Sequence, residues 1–131
     1  MKNKIHETGV DMFFDIHGDE ALPYNFVAGN EMLETFTPQQ AASQKAFIER
    51  YKNASPDFQD EFGYGESPYT PETLTMGSPH VTHAFDCLSL TLEMPFKDNA
   101  DLPVPHVGWN GARSAALGAA ILQPILLSLD D

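Results

Sequence analysis

Two stretches of the chain have the hydrophobic patterns of β-strands. Residues 10–16, VDMFFDI, are apolar on both faces apart from two aspartates, which is typical of a strand buried between layers rather than one at a sheet edge. Residues 87–95, CLSLTLEMP, alternate between a face of leucines and a polar face that ends in Glu93, and a proline ends the run. A third, short strand is predicted within 24–30, where a glycine closes an apolar segment.

Helices are predicted between and after these strands. Residues 38–54 begin with a proline and carry a phenylalanine and a tyrosine four positions apart, and residues 78–85 are predicted to form a short helix that begins at a serine cap. Residues 112–129 have a wide apolar face suited to packing on a sheet, with a kink expected at Pro124. Residues 55–77, rich in Pro, Gly, Ser and acids, are predicted to be a long irregular connection. This alternation of strands and helices predicts an α/β fold.

Length and charge narrow the class of protein. The 131 residues fit one domain. The net charge of −12 argues against binding to nucleic acid or to a membrane surface, because phosphate groups require clustered lysines and arginines. The single cysteine, Cys87, excludes an internal disulfide and suits a reducing compartment, so we expect a cytoplasmic protein with a buried structural thiol. The apolar segment 115–129 is shorter than a bilayer span, which favours a packed helix.

Polar side chains follow both long predicted strands. His17 comes directly after the first strand, and Glu93 lies at the end of the second. In open α/β sheets, ligands bind beyond the carboxyl ends of the strands, so we expect these two residues to share a site.

The motifs around these two residues resemble those of a known family. The segment DIHGDEALPYNFVAGNE, followed later by LSLTLEMPFKDN, resembles the C-terminal half of the zinc carboxypeptidases, in their bacterial cytosolic-carboxypeptidase-like branch. In that family, a histidine in a D-[LIF]-H pattern is the third zinc ligand, and a glutamate in a T-[LF]-E pattern is the general base. His17 and Glu93 match these positions. The resemblance implies that residues 1–131 are the C-terminal portion of a three-layer α/β/α zinc-peptidase domain with a mixed, largely parallel sheet.

Other parts of the family's site have no match in this sequence. The His-x-x-Glu pair that supplies the first two zinc ligands lies upstream in the family, as do the Arg and Asn-Arg motifs that hold the substrate carboxylate. The segment 17–20, HGDE, also fits His-x-x-Glu, but the preceding Asp15 and the ALPYNF continuation favour the third-ligand interpretation. The family's substrate-contacting tyrosine lies in the loop before the glutamate strand. Tyr64 and Tyr69 are in range, but neither matches a motif, so no substrate-binding residue is assigned.

The residue types fit this chemistry on physical grounds. A neutral imidazole at a strand end is a rigid ligand for Zn²⁺, and Asp15, two residues back on the same strand face, could fix the tautomer of His17. Glu93 is suited to take a proton from the attacking water and pass it to the leaving amine. If both roles hold, the two side chains should lie within roughly 7 Å of each other. We also expect parallel strands, with helix 38–54 in the crossover, and a site open on one side that leaves both residues exposed.

The expected function is that of a cytoplasmic zinc metallocarboxypeptidase acting on the C-termini of peptides or proteins. Because two ligands are missing, we expect the chain to be truncated upstream and to associate with the missing N-terminal half or with itself. An inactive fragment or pseudoenzyme that serves as an interaction module is the alternative. A third possibility is a metallohydrolase with another ligand set, formed by His17 with Asp19 or Glu20 and one of His80 or His83.

Overall fold

The computed structural model describes residues 6–129, which form a mixed α/β fold, as predicted. The predicted strand and helix regions are all present, although several bounds differ. The elements in chain order are β1 (Met12–Asp19), β2 (Phe26–Ala28), α1 (Pro38–Ala54), a 3₁₀ turn (Thr73–Thr75), α2 (Gly77–Phe85), β3 (Leu88–Pro95), α3 (Gly111–Ala120) and α4 (Leu122–Ser128).

The strands of the described residues form one mixed sheet in the order β1-β3-β2. β1 runs parallel to β3, as predicted, and β2 runs antiparallel to it. The expectation that residues 10–16 form a fully covered inner strand is wrong for this part of the chain. β1 lies at the edge of the described sheet, and its Ile16 is 54% exposed. The described residues therefore cover only part of the apolar surface of β1.

Helix α1 has the bounds that the sequence predicts. Residues within and next to the helix determine both where it starts and which face it buries. Thr37 and Gln40 form a reciprocal capping box, and Pro38 occupies the first turn, where no N–H is needed. Phe47 and Tyr51 are fully buried against the sheet layer, and the Tyr51 hydroxyl donates a hydrogen bond to the carbonyl of Leu117 at 2.9 Å. This bond ties α1 to α3.

The two faces of β3 meet different helices. Its leucine face packs into the main core with α1, α3 and α4, and its polar face meets α2 through a hydrogen bond from the Ser89 hydroxyl to the Ser78 carbonyl at 2.9 Å. Helices therefore cover both faces of this strand. The buried residues of the main core are Phe47, Tyr51, Phe58, Leu90, Leu92, Leu117 and Ile121.

The single kinked helix expected over 112–129 is instead two helices, with the break at Ile121. Pro124 has no N–H to donate to the carbonyl four residues earlier, so α3 ends at that residue, Ala120. Because of the break, only part of the expected apolar face packs on the core. Ile121 and Leu117 face the core, whereas Leu122 and Leu126 are 65% and 64% exposed.

The connection 55–77 is irregular apart from its 3₁₀ turn, as predicted. The predicted cap of the next helix is wrong, because α2 begins one residue earlier at Gly77 and Ser78 does not cap it. The Ser78 hydroxyl instead accepts a hydrogen bond from the side-chain amide of buried Asn30 at 3.0 Å. Within residues 6–129, no helix has both the length and the apolar character needed to cross a membrane.

Candidate functional site

The parallel pairing of β1 and β3 brings His17 and Glu93 side by side. They are direct register partners at the carboxyl ends of the two strands, and His17 Nδ1 lies 3.8 Å from Glu93 Oε1. This distance is within the roughly 7 Å expected. The expected exposure is right for His17, whose side chain is 50% exposed, and wrong for Glu93, whose side chain is 6% exposed. Glu93 is covered because it lies on the central strand.

The other nitrogen of the His17 ring contacts Asp15. Asp15 Oδ1 lies 3.0 Å from His17 Nε2, as expected for a residue two positions back on the same strand face. An ionised carboxylate can only accept at this distance, so the contact favours the tautomer with its proton on Nε2. The lone pair of Nδ1 is then directed to the side of the ring where Glu93 lies.

Glu93 has an environment that favours a bound proton. Burial raises the pKa of its carboxyl, a hydrogen bond from Tyr64 and the charge of His17 lower it, and the charges of Asp19 and Asp15 raise it again. Desolvation is the largest of these effects, so the net direction is upward. Among the described residues, Glu93 Oε2 has no hydrogen-bond partner although it is buried. A carboxylate with these properties is ready to accept a proton from a bound molecule.

Tyr64 is a site residue that sequence reasoning did not assign. It comes from the 55–77 connection, packs edge-to-face on Phe26 with ring centroids 5.0 Å apart, and forms a hydrogen bond with Glu93. Burial and the neighbouring Glu93 raise the pKa of its hydroxyl, so it stays protonated and can donate. Its only sequence signal was its place in the loop before the glutamate strand. Tyr69, the other tyrosine in range, does not line the cavity.

A cavity of about 1230 Å³ opens in front of these residues. Its floor includes His17 and Glu93, and aromatic side chains from β2 and the 55–77 connection form one wall. One of them, Phe62, stacks on Tyr24 with centroids 4.6 Å apart. Carboxylates line much of the remainder, and no arginine or lysine among the described residues lines it.

Of the two acids that follow His17, Asp19 has a structural role. Asp19 is 6% exposed, and its carboxylate accepts hydrogen bonds from the N–H groups of Ala21 and Leu22, each at 3.0 Å. This arrangement holds the turn that leaves β1. Glu20 is exposed and does not line the cavity.

The alternative metal ligand set has no support in the structure. Residues 6–129 contain no group of three His, Cys, Asp or Glu side chains that could hold a metal ion. His83 Nδ1 instead contacts the Thr35 hydroxyl at 3.2 Å. Cys87 is buried, and burial raises the pKa of its thiol to about 11, which agrees with a structural thiol. Among the ring nitrogens of His17, Nδ1 is the one left as a possible donor, on the side of the ring where Glu93 lies.

Comparison with known proteins finds similar structures over nearly the whole chain. No protein-family profile matches. A metallo-carboxypeptidase from Burkholderia cenocepacia is 63% identical, with a TM-score of 0.94 over 98% of this chain and 34% of that one. A metallo-carboxypeptidase from Pseudomonas aeruginosa, solved in complex with (2-guanidinoethylmercapto)succinic acid, is 38% identical, with a TM-score of 0.92 over 98% of this chain and 34% of that one. An uncharacterised Zymomonas mobilis protein is 35% identical over 99% of this chain and 34% of its own length.

The chain therefore spans about a third of the length of the proteins that it matches, and over that third it is similar in fold and sequence to metallo-carboxypeptidases.

Proposed function

We propose that this chain is the C-terminal catalytic portion of a zinc metallocarboxypeptidase, which removes residues from the C-termini of peptides or proteins. The observation that carries the proposal is the pairing of His17 with Glu93 at 3.8 Å, in a chain 63% identical to a metallo-carboxypeptidase. The single buried cysteine suits a reducing compartment, so we place the protein in the cytoplasm.

In this proposal His17 holds the metal through Nδ1, and Asp15 keeps the ring in the tautomer that leaves this nitrogen free. Zinc would act as a Lewis acid that polarises the scissile carbonyl. Glu93 takes the proton of the attacking water and later delivers it to the leaving amine. The raised pKa of Glu93 favours this role, because the carboxyl must keep the proton after it leaves the water and until it reaches the amine.

Tyr64 is the residue that we propose to contact the substrate. Its hydroxyl is protonated and bonded to Glu93, so a peptide in the cavity would meet a hydrogen-bond donor beside the base. The carboxylate of the substrate needs a positive partner, yet no arginine or lysine of residues 6–129 lines the cavity. We therefore assign the carboxylate anchors, and the first two zinc ligands, to polypeptide outside the described residues.

A chimera tests the proposal directly. Residues 1–131 replace the matching third of the Burkholderia cenocepacia metallo-carboxypeptidase, and release of the C-terminal amino acid from a short peptide is measured. We expect release that stops with a chelator and returns with zinc. We expect no release from the same peptide with an amidated C-terminus, because the free carboxylate would be lost. Equal cleavage of both peptides, or release that a chelator does not affect, would contradict the proposal.

His17→Ala in the same chimera tests the ligand assignment. One of three protein ligands would be lost, so we expect zinc to be lost during dialysis together with the activity. Thr35 contacts His83 on another part of the surface, and His83→Ala is the matched control, which should retain zinc and activity.

One observation favours a second candidate, an interaction module without catalysis. Within residues 6–129, one edge of β1 pairs with no other strand. Ile16 of β1 is 54% exposed, and Phe96, directly after β3, is 65% exposed. Sheet edges with apolar side chains are docking surfaces for other polypeptides. An inactive chimera that still binds zinc would favour this candidate.

A further inference from the structure

The side chain of Gln59 binds both backbone polar groups of Phe62. Its oxygen accepts a hydrogen bond from the Phe62 N–H at 2.7 Å, and its nitrogen donates one to the Phe62 carbonyl at 2.8 Å. The same nitrogen donates to the carbonyl of Asn25 at 3.3 Å. Only two soft dihedral angles separate the N–H and the carbonyl of one residue, so these bonds fix the direction in which the chain leaves Phe62.

Gln59 is itself attached to the backbone next to β2. Its N–H donates a hydrogen bond to the carbonyl of Asn25 at 3.2 Å. Asn25 is fully buried, and its side chain donates to the carbonyl of Asp57 at 3.1 Å. Asn25 also pairs with Phe58 in an isolated β-bridge. The side chain of Gln59 therefore extends from a fixed point of the fold.

Tyr64 lies between two glycines that the fold requires. At Gly63, a Cβ would stand 3.3 Å from Cδ2 of the Phe26 ring, and Gly65 has a φ of +72°, in the region that favours glycine. Because glycines give the backbone more freedom than other residues, they do not hold the Tyr64 ring in place. Tyr64 is 52% exposed, so its packing on Phe26 covers only part of the residue. The direction set at Phe62 therefore decides where Tyr64 points.

We propose that Gln59 is a positioning residue, which keeps the Tyr64 hydroxyl beside Glu93 by holding the backbone of the segment that leads to it. Both Tyr64 and Glu93 line the cavity, and the stacking of Phe62 on Tyr24 restrains the same segment. The use of this hydroxyl to contact a substrate rests on the proposed function. The position of the ring is a property of the chain, and it can be measured without metal or substrate.

Fluorine NMR of the chain labelled with fluorotyrosine tests the proposal. The chain has four tyrosines, and Tyr64→Phe identifies the signal of Tyr64. Gln59→Met keeps a side chain of similar length and removes both hydrogen bonds to Phe62. We expect the Tyr64 signal to move at least about halfway towards its position in the urea-unfolded chain, because each hydrogen bond of ordinary strength shifts an equilibrium about fivefold.

The controls separate positioning from folding. The Tyr51 signal reports on the core, because this residue is fully buried, and it should not move in Gln59→Met. Gln123→Met makes the same change at an exposed position of α4 and should leave the Tyr64 signal unchanged. Gln59→Ala removes the same hydrogen bonds with a smaller side chain and should repeat the shift.

Kinetics of the chimera show whether this position matters in the reaction. We expect Gln59→Met to lower kcat/KM at least about fivefold at unchanged zinc content, the effect of one hydrogen bond of ordinary strength. If Gln59 acts through Tyr64, the same substitution should change kcat/KM by less than about twofold in a Tyr64→Phe chimera. A purely structural role would lower kcat/KM equally in both backgrounds.

The proposal is overturned if the Tyr64 signal stays in place in both Gln59→Met and Gln59→Ala. Movement of the Tyr51 signal in both variants would also overturn it, since Gln59 would then serve the fold as a whole. Equal effects of Gln59→Met on kcat/KM with and without the Tyr64 hydroxyl would have the same consequence. A chimera without activity would count against the proposed function and leave the fluorine result unaffected, so the two proposals fail separately.

Discussion

Replacing Glu93 by glutamine should stabilise the fold while it removes the proposed base. The Glu93 carboxyl is 6% exposed, one of its oxygens lacks a hydrogen-bond partner within residues 6–129, and burial raises its pKa. The charged form of Glu93 therefore lowers the free energy of unfolding. Glutamine keeps the shape and removes the charge, so the penalty should disappear.

The sign of the pH dependence follows from the raised pKa. Below the pKa of the unfolded state, Glu93 is protonated in both states, and the glutamate and glutamine chains should have similar stability. As the pH rises through the higher folded pKa, the glutamate chain must release a proton in a buried site and loses stability. A buried group without a full set of partners costs about 1–3 kcal/mol, and any attraction to His17, present only when that ring is protonated, lowers this cost by up to about 1 kcal/mol. We expect glutamine to stabilise the fold at neutral pH by about 1–2 kcal/mol.

Urea unfolding of both chains at pH 4 and pH 7.5 measures this difference. The expected gain at pH 7.5 corresponds to a rise in melting temperature of about 4–7 °C. Glu34→Gln, the same change at an exposed position, is the control and should have no effect beyond about 0.5 kcal/mol. A Glu93→Gln chain that is less stable at pH 7.5, or equally stabilised at both pH values, would refute the argument that desolvation dominates at this site.

The other predictions concern the fold and its surface. Thr37→Ala should lower the free energy of unfolding by about 1 kcal/mol in urea, because it removes the capping box of α1. Arg113→Met should lower the free energy of unfolding by about 2–3 kcal/mol, because both acids that pair with this arginine would remain without their cation. The Arg113 side chain is only 16% exposed and lies 2.8 Å from Asp57 and 3.0 Å from Asp98. The isolated chain should self-associate through the edge of β1 that pairs with no strand of residues 6–129, and Ile16→Lys should reduce this association in size-exclusion chromatography with light scattering. A monomer before the substitution would contradict that expectation.

The proximity of His17 and Glu93 could be predicted from the sequence because it depends on one general rule. Parallel strands present their carboxyl ends at the same sheet edge, and each residue ends a strand with a clear apolar pattern. Helix α1 was predictable for a similar reason. Its capping box and its buried aromatic pair lie within one short segment.

The remaining features depend on contacts between distant segments. Tyr64 reaches Glu93 from an irregular connection that has no periodic pattern, so its position depends on packing against Phe26. Within residues 6–129, one edge of β1 pairs with no strand, and the sequence could not show this, because an apolar pattern indicates what a strand can bury and not which part of the chain covers it.

Turnover of the zinc-loaded chimera with Glu93→Gln tests the central claim most directly. The account predicts that this variant keeps the same amount of zinc as the unsubstituted chimera, because glutamate at this position is a base and not a ligand. It also predicts a loss of turnover of at least about 100-fold, the usual effect of removing a general base. Glu34→Gln in the same chimera should keep both zinc and turnover. Turnover of Glu93→Gln within about threefold of the unsubstituted chimera, measured at equal zinc content, would contradict the claim that Glu93 carries the proton in the reaction.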